Sequence, residues 1–186
     1  MKIRLVDGAK IRNTTNTDFA GFATHAYDSA VPKGELWIED YLKPERDLMV
    51  HIVETEQRYK RRTFASIRAR LQKEAAKHGT PPPFIKKRER RGSLAIIHVD
   101  GAVVRKYIDP YFFLGGHDLV YAYIPKNEIW IDALNSAKDT VFTLIHELHE
   151  RALMARGMDY ASAHDYALAE ERYHRRKQGV ARFTNN

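Results

Sequence analysis

The feature that most constrains this 186-residue chain is that its two halves read alike at a constant offset of 93 residues. Val6-Asp7-Gly8-Ala9 recurs as Val99-Asp100-Gly101-Ala102, Arg12 as Arg105 and Phe19 as Phe112. Val31-Pro32-Lys33-Gly34-Glu35-Leu36-Trp37-Ile38-Glu39 is answered by Ile124-Pro125-Lys126-Asn127-Glu128-Ile129-Trp130-Ile131-Asp132. Ile52, Glu54 and Arg58 are answered by Ile145, Glu147 and Arg151. Residues 1–58 and 94–151 share fifteen identities with no gap, where unrelated stretches would share about three or four. The two Trp of the chain fall at equivalent places. The pattern reads as tandem duplication of a small unit: an N-terminal copy over 1–79, a basic Pro-containing linker over 80–93 and a C-terminal copy over 94–186.

Each copy has the same local grammar. A short apolar run (Lys2 to Val6; Leu94 to Val99) meets an Asp-Gly pair, and a second run follows (Ala9 to Arg12; Ala102 to Ile108). That sequence predicts a β-hairpin. A polar loop comes next, including Gly115-Gly116-His117-Asp118, and then a strand, Glu35 to Glu39 or Glu128 to Asp132. The alternation of acid, apolar residue and Trp in both strands suits an edge or half-exposed strand. A helix completes the unit. In the second copy it is expected from an Asp139 N-cap to a Gly157 terminator, with Val141, Ile145, Leu148 and Ala152 as its apolar stripe, widened by Phe142, Leu144 and Leu153. A further helix is expected from near Asp159 to Gln178-Gly179, and one long helix or two over Arg46 to His78. The fold class is therefore α+β, two copies of a hairpin-strand-helix unit.

Composition narrows the chemistry. The chain has no cysteine, which excludes disulfides, thiolate metal sites and a cysteine nucleophile. Nine His, with Asp and Glu, remain for any metal. No apolar run approaches the roughly 20 residues of a membrane helix, and the N-terminus reaches Asp7-Gly8 too early for a signal peptide. A cytoplasmic protein without membrane contact is expected.

The sharpest segment is His146-Glu147-Leu148-His149-Glu150. Residues four apart on a helix lie one above the other, so His146 and Glu150 can share a divalent metal. Glu147 is rotated by about 100° from His146, placed to hold a water as general base. His164, just beyond the Gly157-Met158-Asp159-Tyr160 turn, is the best candidate for a third ligand. Glu170, Glu171 and His117 follow it, and His149 ranks below Glu150. In the first copy the positions of His146, Glu147, Glu150 and His164 hold Val53, Glu54, Gln57 and Leu71, so that copy lacks the ligands. Tyr107, Tyr111, Tyr121, Tyr123 and Tyr160 are assigned to core and edge packing rather than to a cleft.

The segment from about 124 to 171 resembles the zincin metallopeptidases. Their motif, His-Glu-x-x-His, is matched at His146 and Glu147, with Glu150 where a second His is usual. The resemblance implies a zinc-dependent hydrolase of peptides, with Glu147 polarising the attacking water, His164 completing the ligand set and Glu128 to Asp132 as the edge strand beside the cleft. The arrangement is also similar to short phage and bacterial proteins with a duplicated unit.

The net charge of +7 is concentrated. Residues 58–91 hold thirteen Lys and Arg against Glu74 and Glu89, leaving the remainder mildly acidic. Arg58 to Lys77 reads as a helix positive on several faces, and Lys86 to Arg91 as a second basic cluster. Nucleic-acid phosphates, an acidic surface, and a solvated linker are three readings of this segment. A non-enzymatic binding or structural protein, with a structural metal or none, is the rival to the hydrolase.

Overall fold

The structure, a computed structural model, describes residues 1–178. It is an α+β protein with two small mixed sheets. The first half runs β1 (Lys2–Val6), α1 (Gly8–Thr14), β2 (Phe22–Thr24), β3 (Glu35–Glu39), a 3₁₀ turn (Asp40–Glu45), α2 (Arg46–Arg58) and α3 (Phe64–Ala75). The second runs β4 (Ile85–Arg91), β5 (Leu94–Val99), α4 (Gly101–Tyr107), β6 (Gly115–His117), β7 (Glu128–Asp132), α5 (Ala137–Met154) and α6 (Tyr160–Lys177). Strand order is β1-β3-β2 in one sheet and β4-β5-β7-β6 in the other.

Topology and register recur at the same offset. β1 pairs parallel with β3, Arg4 facing Trp37, as β5 pairs parallel with β7, Ile97 facing Trp130. β2 is antiparallel to β3, Ala23 facing Trp37, as β6 is antiparallel to β7, Gly116 facing Trp130. Each Trp indole donates to the acid two residues before it, Glu35 at 2.9 Å and Glu128 at 2.8 Å. Gly34 and Asn127 both take positive φ, 82° and 64°, a conformation Asn tolerates better than most residues.

The expected hairpins do not form. Asp7 and Asp100 are helix N-caps whose carboxylates accept from Lys10 N and Val103 N. The following Gly serves close approach rather than a turn: a Cβ on Gly8 would lie 2.2 Å from the Glu39 carboxyl carbon, and one on Gly101 1.9 Å from an Asp132 oxygen. Those acids end β3 and β7 and are buried beneath the helix N-termini. Arg12 and Arg105 meet them, donating to Glu39 at 2.7 Å and to Asp132 at 2.7 Å. The same guanidiniums reach the Phe19 and Phe112 carbonyls, both at 3.0 Å.

Other expectations also change. β3 and β7 are central strands, not edges, because parallel partners flank them on one side and β2 or β6 on the other. Gly115 to His117 is the edge strand β6, not a loop, and all three residues are buried. The linker 80–93 contains β4, which pairs antiparallel along β5; its side chains are all exposed, so only its backbone announces it. The basic segment is divided between the end of α2, α3 and β4 rather than forming one helix. Arg68 turns inward to Asp109, and Arg70 pairs with Glu74. Residues 46–78 form two helices and a terminal 3₁₀ turn, Ala76–His78. No helix among the described residues is long and apolar enough to cross a membrane. Gly179, expected near the end of α6, lies outside the described residues with the rest of 179–186; Gln178 caps the helix.

Candidate metal centre

α5 begins at the Ser136 N-cap, with Asp139 three residues inside it rather than capping it. Its most buried face is not the expected stripe: Val141 is 48% exposed. Phe142, which widens that stripe, is buried, and with it Thr143, His146, Glu147 and Glu150. Leu144 and Leu148 pack on Ile96, Ile129 and Ile131 of the sheet, which anchors the helix and turns its His/Glu face toward α6. Burying polar groups is costly unless they are partnered, so that face must find partners.

Most of it does. His146 and His164, on α5 and α6, approach with Nε2 and Nδ1 3.2 Å apart. Glu150 Oε2 lies 2.7 Å from His164 Nδ1 and 3.4 Å from His146 Nε2. A tetrahedral edge built on Zn–N bonds of about 2.0–2.1 Å is about 3.3 Å long. Two of the three separations match that edge and the third, at 2.7 Å, is shorter, so the expected set His146, Glu150 and His164 is brought together within reach of one small cation.

The far nitrogens of both imidazoles are held by carboxylates. Glu171 Oε2 lies 3.2 Å from His146 Nδ1, and Asp18 Oδ2 3.1 Å from His164 Nε2. A carboxylate accepts only, so each far nitrogen carries hydrogen and each near nitrogen is the one a metal or a second proton occupies. Burial alone would lower both imidazoles, but the surrounding carboxylates prevail. Hydrogen bonds to Glu150 and Glu171 push His146 up to about 10, and bonds to Asp18 and Glu150 push His164 up to about 9. Burial would raise Glu150, yet hydrogen bonds from His117, His146 and His164 hold it far below the usual carboxylate range. A divalent cation meets the same demand for positive charge by displacing protons, so the residues fit such a group.

A second cluster, His117, Glu147 and Glu150, shares Glu150. His117 Nε2 is 3.0 Å from Glu150 Oε1, and its Nδ1 accepts the Leu119 N–H at 3.2 Å. With Nδ1 accepting, the proton of the neutral ring sits on Nε2. His117 is thus a donor that fixes Glu150, not a ligand with a free lone pair. Its strand position on β6 was legible only as a His beside two Gly.

Glu147 is 8% exposed and makes no hydrogen bond or ion pair among the described residues. Burial pushes its carboxyl up to about 7. It faces a pocket of about 220 Å³ lined also by His146, Glu150, His164, Gly115 and Tyr121. Gly115 has to be Gly, since a Cβ there would lie 2.8 Å from Thr143 Cγ2 and 3.2 Å from Glu147 Cγ. Tyr111, Tyr121 and Tyr160 line this pocket, and Tyr111 and Tyr121 also pack on the hydrophobic clusters as expected.

The remaining candidates lie elsewhere. His149 belongs to neither ligand cluster, and Glu170 pairs with His174 at 3.1 Å. In the first half, Val53 and Leu71 are buried in the apolar core while Glu54 and Gln57 are exposed. Glu54 and Glu147 therefore share a sequence position but not an environment. No family model, curated protein or solved structure matches the chain.

Proposed function

We propose that the protein is a metal-dependent hydrolase of peptide or similar amide bonds, with zinc or a similar divalent transition metal held by His146, Glu150 and His164. The observation that carries this reading is the meeting of two near nitrogens and one carboxylate oxygen within 3.4 Å, each imidazole oriented from behind by an acid. The resemblance of His146-Glu147 to the zincin motif points the same way. Three protein ligands leave a coordination position open, the mark of a catalytic rather than a structural site.

The metal's contribution, once bound, is to lower the pKa of a water toward about 7 and to polarise the scissile carbonyl. Glu147 does the proton work. Burial raises its carboxyl above the usual range and it makes no hydrogen bond or ion pair among the described residues, which leaves it free to take and return a proton. It takes a proton from the attacking water and delivers it to the leaving amine. His117 holds Glu150 through Oε1 and leaves Oε2 for the metal.

Elemental analysis of the purified protein tests the reading. About one zinc per chain is expected, lost in the His146→Ala/Glu150→Ala double variant. Stoichiometric metal in that variant overturns the ligand assignment, and none in the wild type overturns the metal reading.

A further inference from the structure

We propose that Asp18, carried by the first half, is a positioning residue of the metal centre, so that the ligand set of the second half is completed only by the first. The inference rests on the metal reading above. Asp18 lies between α1 and β2, and its Oδ2 is 3.1 Å from His164 Nε2, the nitrogen away from the ligand cluster. A carboxylate there fixes the ring's tautomer and rotation, and raises the basicity of the coordinating nitrogen.

The loop bearing Asp18 is built to hold this place. Arg172, two turns beyond His164 on α6, donates to the Asn16 carbonyl at 2.6 Å. Arg12 donates to the Phe19 carbonyl at 3.0 Å, and the Phe19 ring is buried. The residues on either side of Asp18 are thus tied to α6 and to α1, while the Asp18 side chain, half exposed, is held mainly by its bond to His164.

The repeat supplies an internal comparison. At the place of Asp18 the second half has Tyr111, whose hydroxyl donates to Glu56 on α2. Each loop therefore crosses to the helix pair of the opposite half. Where the facing helices carry Val53 and Leu71, the loop delivers a phenol; where they carry His146 and His164, it delivers a carboxylate. A contact serving only to hold the halves together would not need that difference. The half without ligands is thereby assigned a part in the site.

The test is zinc affinity of the full chain, read by competition with a chromophoric chelator, alongside thermal melting without added metal. Asp18→Asn and Asp18→Ser are measured together, and either one that folds decides. Each is expected to weaken zinc binding by about 10–100-fold while melting as the wild type does. Asp18→Glu, which keeps the carboxylate, is expected to recover most of the affinity, and Asn16→Ala to leave it unchanged. Wild-type affinity in the Asn and Ser variants, or a loss matched by an equal loss of thermal stability, overturns the positioning role and leaves the metal reading intact. Absence of zinc binding by the wild type overturns the metal reading itself.

Discussion

Arg12 and Arg105 occupy the same place in the two halves, and each guanidinium joins its own half to the other. Arg12 binds Glu39 at the end of β3 and reaches across to Asp139 of α5 at 3.1 Å. Arg105 binds Asp132 at the end of β7 and reaches back to Glu45 at 2.7 Å. From Arg12 the ion pairs continue through Asp139 to Arg175 at 2.9 Å, and from Arg175 to Glu171 at 2.8 Å, which orients His146.

Removing a partner from such a buried pair leaves a charge without compensation. Arg105→Met strands Asp132, which is fully buried. Urea unfolding is expected to show a loss of about 3–5 kcal/mol. A loss below about 1 kcal/mol, the scale of an exposed pair, would contradict the role given to this arginine.

The glycines separate steric from conformational roles. Gly101→Ala places a methyl on the Asp132 carboxylate and is expected to cost about 1–3 kcal/mol, as overpacking does. Gly34→Asn installs the residue found at the equivalent Asn127, in open space and at a similar positive φ. It is expected to change stability by less than about 0.5 kcal/mol. Chemical denaturation of the two variants checks both.

Glu147→Gln keeps shape and removes the proton acceptor. Zinc content and melting should match the wild type, while hydrolysis of a peptide library falls by about 10²–10⁴-fold. Glu54→Gln, on an exposed side chain of the first half, should alter neither. Loss of metal in Glu147→Gln would make Glu147 a ligand.

His117→Gln addresses stoichiometry. If His117 donates to Glu150 rather than binding a second metal, the variant still binds one zinc, about 10–100-fold more weakly. Two metals in the wild type and one in the variant would reassign His117 as a ligand.

Acid stability should report Asp139. Burial would raise its pKa, but Arg12 and Arg175 prevail and hold it below its ordinary value. A depressed carboxyl adds stability that is fully present above the unfolded pKa of about 3.9 and is lost as pH falls through the lower folded value. The stability gap between wild type and Asp139→Asn should therefore be constant from about pH 5 upward and close toward pH 2. A gap that widens on acidification would refute the assignment.

How much of this was legible in the sequence depended on how local the signal was. The recurrence at a constant offset and the proximity of His146 to Glu150 are legible because an offset and an i, i+4 spacing are local facts; His164 is legible only as a His beyond a short turn. The Asp-Gly pairs were misread because the same dipeptide serves a hairpin and a capped helix; only the buried acids Glu39 and Asp132 decide, and they lie a strand away. β4 is not legible because the six charged residues after Ile85 carry no apolar alternation. The buried face of α5 escaped because its partners, Glu171, Asp18 and His117, come from α6, the first half and β6. Asp18 carries no sequence signal beyond being an acid in a loop.

The contact between Asp18 and His164 spans 146 residues of chain, and that between Arg12 and Asp139 spans 127. Contacts so distant in sequence carry the entropic cost of closing the intervening chain. During synthesis the first half emerges long before α6 exists to meet it. His146, Glu150 and His164 lie within 18 residues of one another, so their cluster needs only α5 and α6, whereas the Asp18 contact also needs the first half in place.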